Sequence, residues 1–98
     1  MAELNEIIHQ TVRLRIMAAL VALDPKDEID FSTLKELLDV TDGNLGAHLR
    51  KLEEADYINV NKTYVDRKPR TFVSVNAKGR KVFQEHVEAL QLIIKNKK

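Results

Sequence analysis

Cysteine and tryptophan are absent from this 98-residue sequence, glycine occurs three times, proline twice, and aromatic residues make up 5%. Without cysteine there is no disulfide framework, no thiolate metal site and no thiol redox switch. Long apolar runs are missing as well. The longest, Ile16 to Leu23, is too short to cross a bilayer, and the acidic N-terminus lacks the basic stretch of a secretory signal. Cytoplasmic residence, with no membrane partner, is the expectation. Three histidines without H-x-x-x-H spacing and without cysteine partners predict no metal, although His9 and His86 could meet carboxylates across helices or subunits. No carboxylate stands beside a histidine or nucleophile in a recognisable catalytic arrangement, and the glycines form no phosphate-cradling loop. Neither catalysis nor a cofactor is expected, and no pocket for a small-molecule effector is readable.

What is present suffices for a soluble globular chain. Hydrophobic residues make up 44% and charged residues 32%, and a chain of this length fills one core rather than two, so residues 1–98 read as a single domain. Charge is unevenly spread. Residues 1–42 carry nine acidic and four basic side chains, whereas residues 43–98 carry twelve basic and six acidic ones. An asymmetry of this kind suggests that one half faces a polyanion.

Periodicity divides the chain. Ile8, Val12, Ile16, Ala19, Leu20 and Leu23 recur at steps of three and four, predicting a first helix from about Asn5 to Leu23 that Asp24-Pro25 stops. Glu28 to Phe31 alternates as a very short strand would. A second helix is predicted from Ser32 or Thr33, with Thr33 and Glu36 as a capping box and Leu34, Leu37 and Leu38 buried, ending near Asp39. Thr41 can cap a third helix over Asp42 to Ala55, and Asp42 suits the positive end of its dipole.

In that third helix Leu45, Leu49 and Leu52 define the inward stripe, which leaves Gly43, Ala47, Arg50, Lys51 and Glu54 on the opposite face. Asn44 and His48 fall on the flanks, His48 about 60° from the stripe's centre. Tyr57 to Thr63 and Arg70 to Val75 read as paired strands, with Ile58 and Val60 facing Thr71, Val73 and Val75 and with a polar loop from Tyr64 to Pro69. Asn76 can cap a last helix from Ala77 to about Lys95, striped by Val82, Phe83, Val87, Leu90, Ile93 and Ile94.

Helix, short strand, helix, turn, helix, hairpin and helix make the order of an α+β, mainly helical winged helix-turn-helix. The sequence resembles the compact winged-helix regulators related to the MarR and ArsR groups. The resemblance lies in Phe31-Ser32-Thr33-Leu34-Lys35, Thr41-Asp42-Gly43-Asn44-Leu45, His48-Leu49-Arg50-Lys51-Leu52-Glu53, Arg67-Lys68-Pro69-Arg70-Thr71 and Asn76-Ala77-Lys78-Gly79. It spans nearly the whole chain, and its specificity lies in the combination. It implies double-stranded DNA as partner, with the third helix in the major groove and the hairpin as wing. Gly46 and Ala47 depart from the hydroxyl and polar residues usual in relatives, which removes a hydroxyl contact to phosphate. Asp56 takes a turn position where relatives commonly have glycine, tolerable because aspartate enters the left-handed region more readily than most residues.

A helix fits the roughly 12 Å major groove, and Gly43, Gly46 and Ala47 let its backbone approach. Arg50 and Lys51 then reach base edges or phosphates, with Thr41, Asp42, Asn44 and His48 around them; His48 serves either as a backbone-bonded boundary residue or as a phosphate contact. Lys62, Arg67, Lys68 and Arg70 arm the wing. Leu4, Ile7 and Ile8 join Phe83, Val87, Leu90, Ile93 and Ile94 as the expected homodimer face, because this is more apolar surface than so small a body hides. The two-fold pair would read a pseudo-palindrome. The competing expectation is a winged helix that docks another protein and has negligible affinity for DNA.

Overall fold

The computed structural model describes residues 4–96; residues 1–3 and 97–98 of the expected single domain lie outside the described residues. The elements are α1 (Thr11–Val21), β1 (Ile29–Asp30), α2 (Phe31–Leu38), α3 (Asp42–Glu54), β2 (Ile58–Val65), β3 (Lys68–Val75) and α4 (Ala77–Lys95). The sheet is antiparallel in the order β1-β3-β2. Ile16, Met17 and Leu20 of α1, Leu34 and Leu38 of α2, and Leu45, Leu49 and Leu52 of α3 meet Tyr57, Ile58, Val73 and Val75 in one core.

The first helix begins later than its periodicity suggests. Gln10 is extended (φ −83°, ψ 136°), and its side chain accepts a hydrogen bond from Arg13 N at 2.9 Å, capping a helix that starts at Thr11. Upstream, Asn5 closes a separate helical turn: its carbonyl accepts from His9 N at 2.8 Å and its Oδ1 from Ile8 N at 3.0 Å. The break turns Ile8 into the core, where it is fully buried. The expectation that Ile8 belongs to a dimer face is therefore corrected, since a side chain with no exposed surface has none to offer a partner. At the other end Arg80 donates to the carbonyls of Val21 and Leu23 at 3.2 and 2.9 Å, supplying partners to a helix terminus that lacks its own.

The second helix also differs from expectation. It starts at Phe31 with Asp30 as an N-cap that makes no side-chain hydrogen bond, so no Thr33–Glu36 capping box forms. Asp30 instead pairs with Arg70 at 3.5 Å. Leu37 is 62% exposed, because it lies about 80° from the midline between Leu34 and Leu38. Asp39 and Asp56 end α2 and α3 in the left-handed region (φ 54° and 65°). The Val40 and Tyr57 amides then reach back to the Lys35 and Leu52 carbonyls at 3.4 and 3.1 Å, so both C-termini close in the Schellman manner. Aspartate at position 56 does what the sequence allows it to do.

The hairpin is tighter than expected. Tyr64 and Val65 pair with Pro69 and Lys68, leaving a two-residue turn of Asp66 and Arg67 with φ of 51° and 66°. Positive φ at both central residues is the type I′ geometry, whose twist matches that of the strands it joins. Pro69 fits because the Tyr64–Pro69 pair is one removed from the hydrogen-bonded pair next to the turn, so its nitrogen faces away from β2. Asn76 caps α4 through Gly79 N at 2.7 Å and also donates to the Asp56 carbonyl at 2.8 Å. A Cβ on Gly79 would lie 2.1 Å from the Tyr57 carbonyl oxygen; only glycine lets α4 approach the start of β2 this closely.

Candidate nucleic-acid interface

The leucine stripe seats α3 on the body. Leu45, Leu49 and Leu52 are buried, while Gly43, Asn44, Ala47, Arg50, Lys51 and Glu54 are exposed. Thr41 Oγ1 accepts from Asn44 N at 3.1 Å, so the helix starts with a side-chain cap. Asp42 is held by Lys35 at 3.0 Å, which links α2 to α3 and partly neutralises that carboxylate at the presented end. Neither Gly43 nor Gly46 is demanded by packing: a Cβ at either position would have nothing within 4 Å. Glycine in a helix costs about 0.5–1 kcal/mol relative to alanine, so these two weaken α3 without any packing need inside the subunit.

The two half-buried residues of α3, Gly46 and His48, lie on opposite flanks of the leucine stripe. On the Gly46 side, α3 and the hairpin enclose an open hollow of about 240 Å³ lined by Gly46, Leu49, Arg50, Val60, Lys62 and Thr71, with Phe31 and Glu53 at its margins. Lys62 thus shares a surface with Arg50. Lys68 and Arg70 lie on the other face of the ribbon, where they line a second hollow with Ser32 and Asp30. Arg67 occupies the turn. Among the described residues Arg50, Lys51, Lys62, Arg67 and Lys68 have no carboxylate within ion-pair distance, whereas Arg70 is engaged by Asp30.

On the opposite flank His48 meets Arg13, whose Nη1 lies 3.1 Å from His48 Nδ1. Arginine only donates, so His48 accepts and stays neutral. Burial and the adjacent guanidinium both hold its pKa below the ordinary histidine value. Arg13 Nε also donates to the Ile7 carbonyl. Arg13 is not legible in the sequence as a site residue, because a long-range contact to a histidine has no signature in spacing.

His9 and His86, isolated in sequence, are brought together with ring centroids 5.3 Å apart and Nδ1 to Nε2 at 3.4 Å. His86 is fully buried, and its Nδ1 accepts from the Asn5 backbone amide at 2.9 Å. Its proton therefore sits on Nε2, directed at His9. Metal on Nε2 would move that proton to Nδ1, against the Asn5 amide, so the bonded tautomer offers a cation no free lone pair on His86. Among the described residues no three His, Asp or Glu side chains gather as a metal site. Burial, followed by the nearby His9, lowers the His86 pKa. Asn5 Nδ2 extends the network to the Tyr57 hydroxyl at 2.9 Å.

The remaining expected residues lie along α4 and the N-terminal segment. Leu4, Phe83, Val87 and Leu90 are half-buried, while Ile7 (36%), Ile93 (57%) and Ile94 (71%) are exposed. Leu92, 41% exposed, adds to this strip although the stripe read from the sequence omits it. No described helix is long and apolar enough to cross a membrane.

Comparison with known proteins finds relatives that share this fold. A protein of Methanocaldococcus jannaschii described only as uncharacterised is 38% identical over 88 residues, which cover 89% of this chain and 92% of the relative. A solved transcriptional regulator homologue from Pyrococcus horikoshii superposes with a TM-score of 0.83 at 33% identity, covering 93% of this chain and 87% of that one. A mutant of MepR from Staphylococcus aureus shares the fold at 16% identity, with a TM-score of 0.73 over 92% of this chain and 63% of its own. The sequence pattern of the family described as the winged helix DNA-binding domain matches residues 12–94, and the chain belongs to that family rather than to an enzyme family.

Proposed function

We propose that this protein is a cytoplasmic, sequence-specific regulator of transcription that binds double-stranded DNA as a homodimer on a pseudo-palindromic site. The observation that carries the reading is the presented surface of α3: Gly43 on the outer face and Gly46 on the wing-side flank, each with open space above it, then Arg50 and Lys51 with no carboxylate in ion-pair range among the described residues. That combination lets a helix backbone sit deep in a major groove while an arginine fork reaches base edges. Lys62 lies alongside Arg50, with Arg67 at the wing turn and Lys68 on the other face of the ribbon, suited to phosphates or a minor groove. The hollow between α3 and the wing belongs to the same surface.

The dimer is formed by the end of α4 and the N-terminal segment, whose Ile7, Leu92, Ile93 and Ile94 are the exposed apolar side chains there. Two-fold pairing would set two copies of α3 about 34 Å apart on one side of the duplex. Fluorescence anisotropy with duplexes selected from a random pool, at several salt concentrations, tests the assignment. Binding should weaken steeply with salt, and Arg50→Ala with Lys51→Ala should erase the preference among sequences. A wild-type protein indifferent to duplex DNA at low salt would overturn it and favour a protein-docking winged helix.

A further inference from the structure

Three leucines fix how deeply α3 sits, but an apolar seam is non-directional and leaves rotation and sliding along the body loosely specified. Direction comes from polar contacts on the flanks. The Gly46 flank carries the solvent-exposed Lys35–Asp42 pair at 3.0 Å, which water screens, and beyond it the open hollow. The other flank carries a directional bond, from the Arg13 guanidinium to His48 Nδ1 at 3.1 Å.

We propose that Arg13 is a positioning residue for the reading helix, setting the placement of α3 by clamping His48 to the carbonyl of Ile7. The inference rests on the DNA-binding reading above. One planar guanidinium serves two acceptors from two parts of the chain, the N-terminal segment and α3, a geometry that a fork of fixed donors supports and a single ammonium does not. The segment that supplies Ile7 is itself anchored: Asn5 is bonded through its backbone to His86 of α4 and through its side chain to Tyr57. A continuous path of hydrogen bonds therefore joins α4, the N-terminal turn, α1 and the helix that reads DNA. The charged residues around Arg13 are Glu6, Lys51 and Glu54, which line the hollow beside it.

Arg13 could alternatively grip a DNA phosphate directly, and the two roles separate by salt dependence. A lost phosphate contact lowers the slope of log affinity against log salt by about one and is restored by lysine, whereas a lost positioning bond lowers affinity at an unchanged slope. The experiment titrates a selected duplex with wild type, Arg13→Gln, Arg13→Lys, His48→Leu and the double variant Arg13→Gln with His48→Leu, each checked for a cooperative thermal transition. Positioning predicts an affinity loss of about tenfold for Arg13→Gln, no rescue by Arg13→Lys, and a double variant no weaker than either single one. His48→Asn, whose Oδ1 can accept where Nδ1 did, should bind better than His48→Leu.

Nitrogen-15 NMR of the free protein supplies a readout independent of DNA: Arg13→Gln should move the His48 Nδ1 resonance and raise the midpoint of its titration. A reduced salt slope with rescue by lysine, or additive losses in the double variant, overturns the inference and leaves the DNA-binding assignment standing. Absence of wild-type binding overturns the assignment, and this inference with it.

Discussion

Gly43 and Gly46 set a local cost against a surface property. Because neither has a neighbour within reach of a Cβ, Gly43→Ala and Gly46→Ala should each raise stability by about 0.5–1 kcal/mol in chemical denaturation. Each should also weaken duplex binding, since the added methyl stands between backbone and groove; a gain in stability with affinity untouched would show that close approach is not their role. Gly79→Ala should do the reverse and destabilise strongly, its Cβ being driven against the Tyr57 carbonyl. The buried histidine carries a pH dependence. His86 accepts from the Asn5 amide only while neutral, and its folded pKa lies below the ordinary value. Unfolded, it titrates at about 6.5, so between the two values the unfolded chain holds a proton that the folded chain refuses. Its contribution to stability is complete above pH 6.5 or so and is lost as pH falls through that range toward the folded pKa. His48 is lowered in the same direction. Urea midpoints should therefore fall between pH 7.5 and pH 5.5, and His86→Leu should flatten the fall in part, with His48 supplying the remainder.

Elements differ in how legible they are. The α3 stripe could be read because Leu45, Leu49 and Leu52 repeat at helical spacing and are buried, and Thr41 and Asn76 could be read because capping residues sit next to the helices they cap. The break at Gln10 could not: glutamine is an unremarkable helix former, and its extended backbone is stabilised by contacts of the N-terminal turn with residues more than fifty positions away. The wing turn was hidden for another reason. Asp66 and Arg67 both adopt positive φ, where Asn-Gly is the expected pair, so the strands extend two residues further toward the tip than turn propensity suggests. Arginine at such a position costs folding energy of the order of 1 kcal/mol. Replacing Asp66 and Arg67 with Asn and Gly should stabilise the hairpin, raising the thermal midpoint, while lowering affinity for all duplexes alike and reducing the salt slope by about one. Should the slope stay unchanged, the wing tip makes no phosphate contact and the strained arginine has some other purpose.

At the scale of the whole molecule, the long axis reaches 56 Å against 25 and 21 Å for the others. A 19-residue α4 extends over about 28 Å, and its burial decreases along its length: Gly79, His86 and Ala89 are buried, whereas every described residue after Leu90 is exposed. A helix end that exposes Leu92, Ile93 and Ile94 is poorly hidden in a monomer. Ile93→Glu with Ile94→Glu places two charges in the proposed seam, and sedimentation should then find a monomer whose thermal transition is otherwise intact. Ile8→Ala should behave oppositely, losing about 2–5 kcal/mol of subunit stability through a core cavity, without acting on association through the seam itself. The consequence for DNA follows from geometry. Two copies of α3 fixed by one seam have one spacing, so inserting five base pairs between half-sites rotates one of them half a turn away and should reduce wild-type binding to that of a single half-site. The Ile93→Glu, Ile94→Glu monomer has no such spacing to violate, and its affinity should be the same on the native and the expanded site. If it discriminates between them as sharply as the wild type does, the seam lies elsewhere on the molecule.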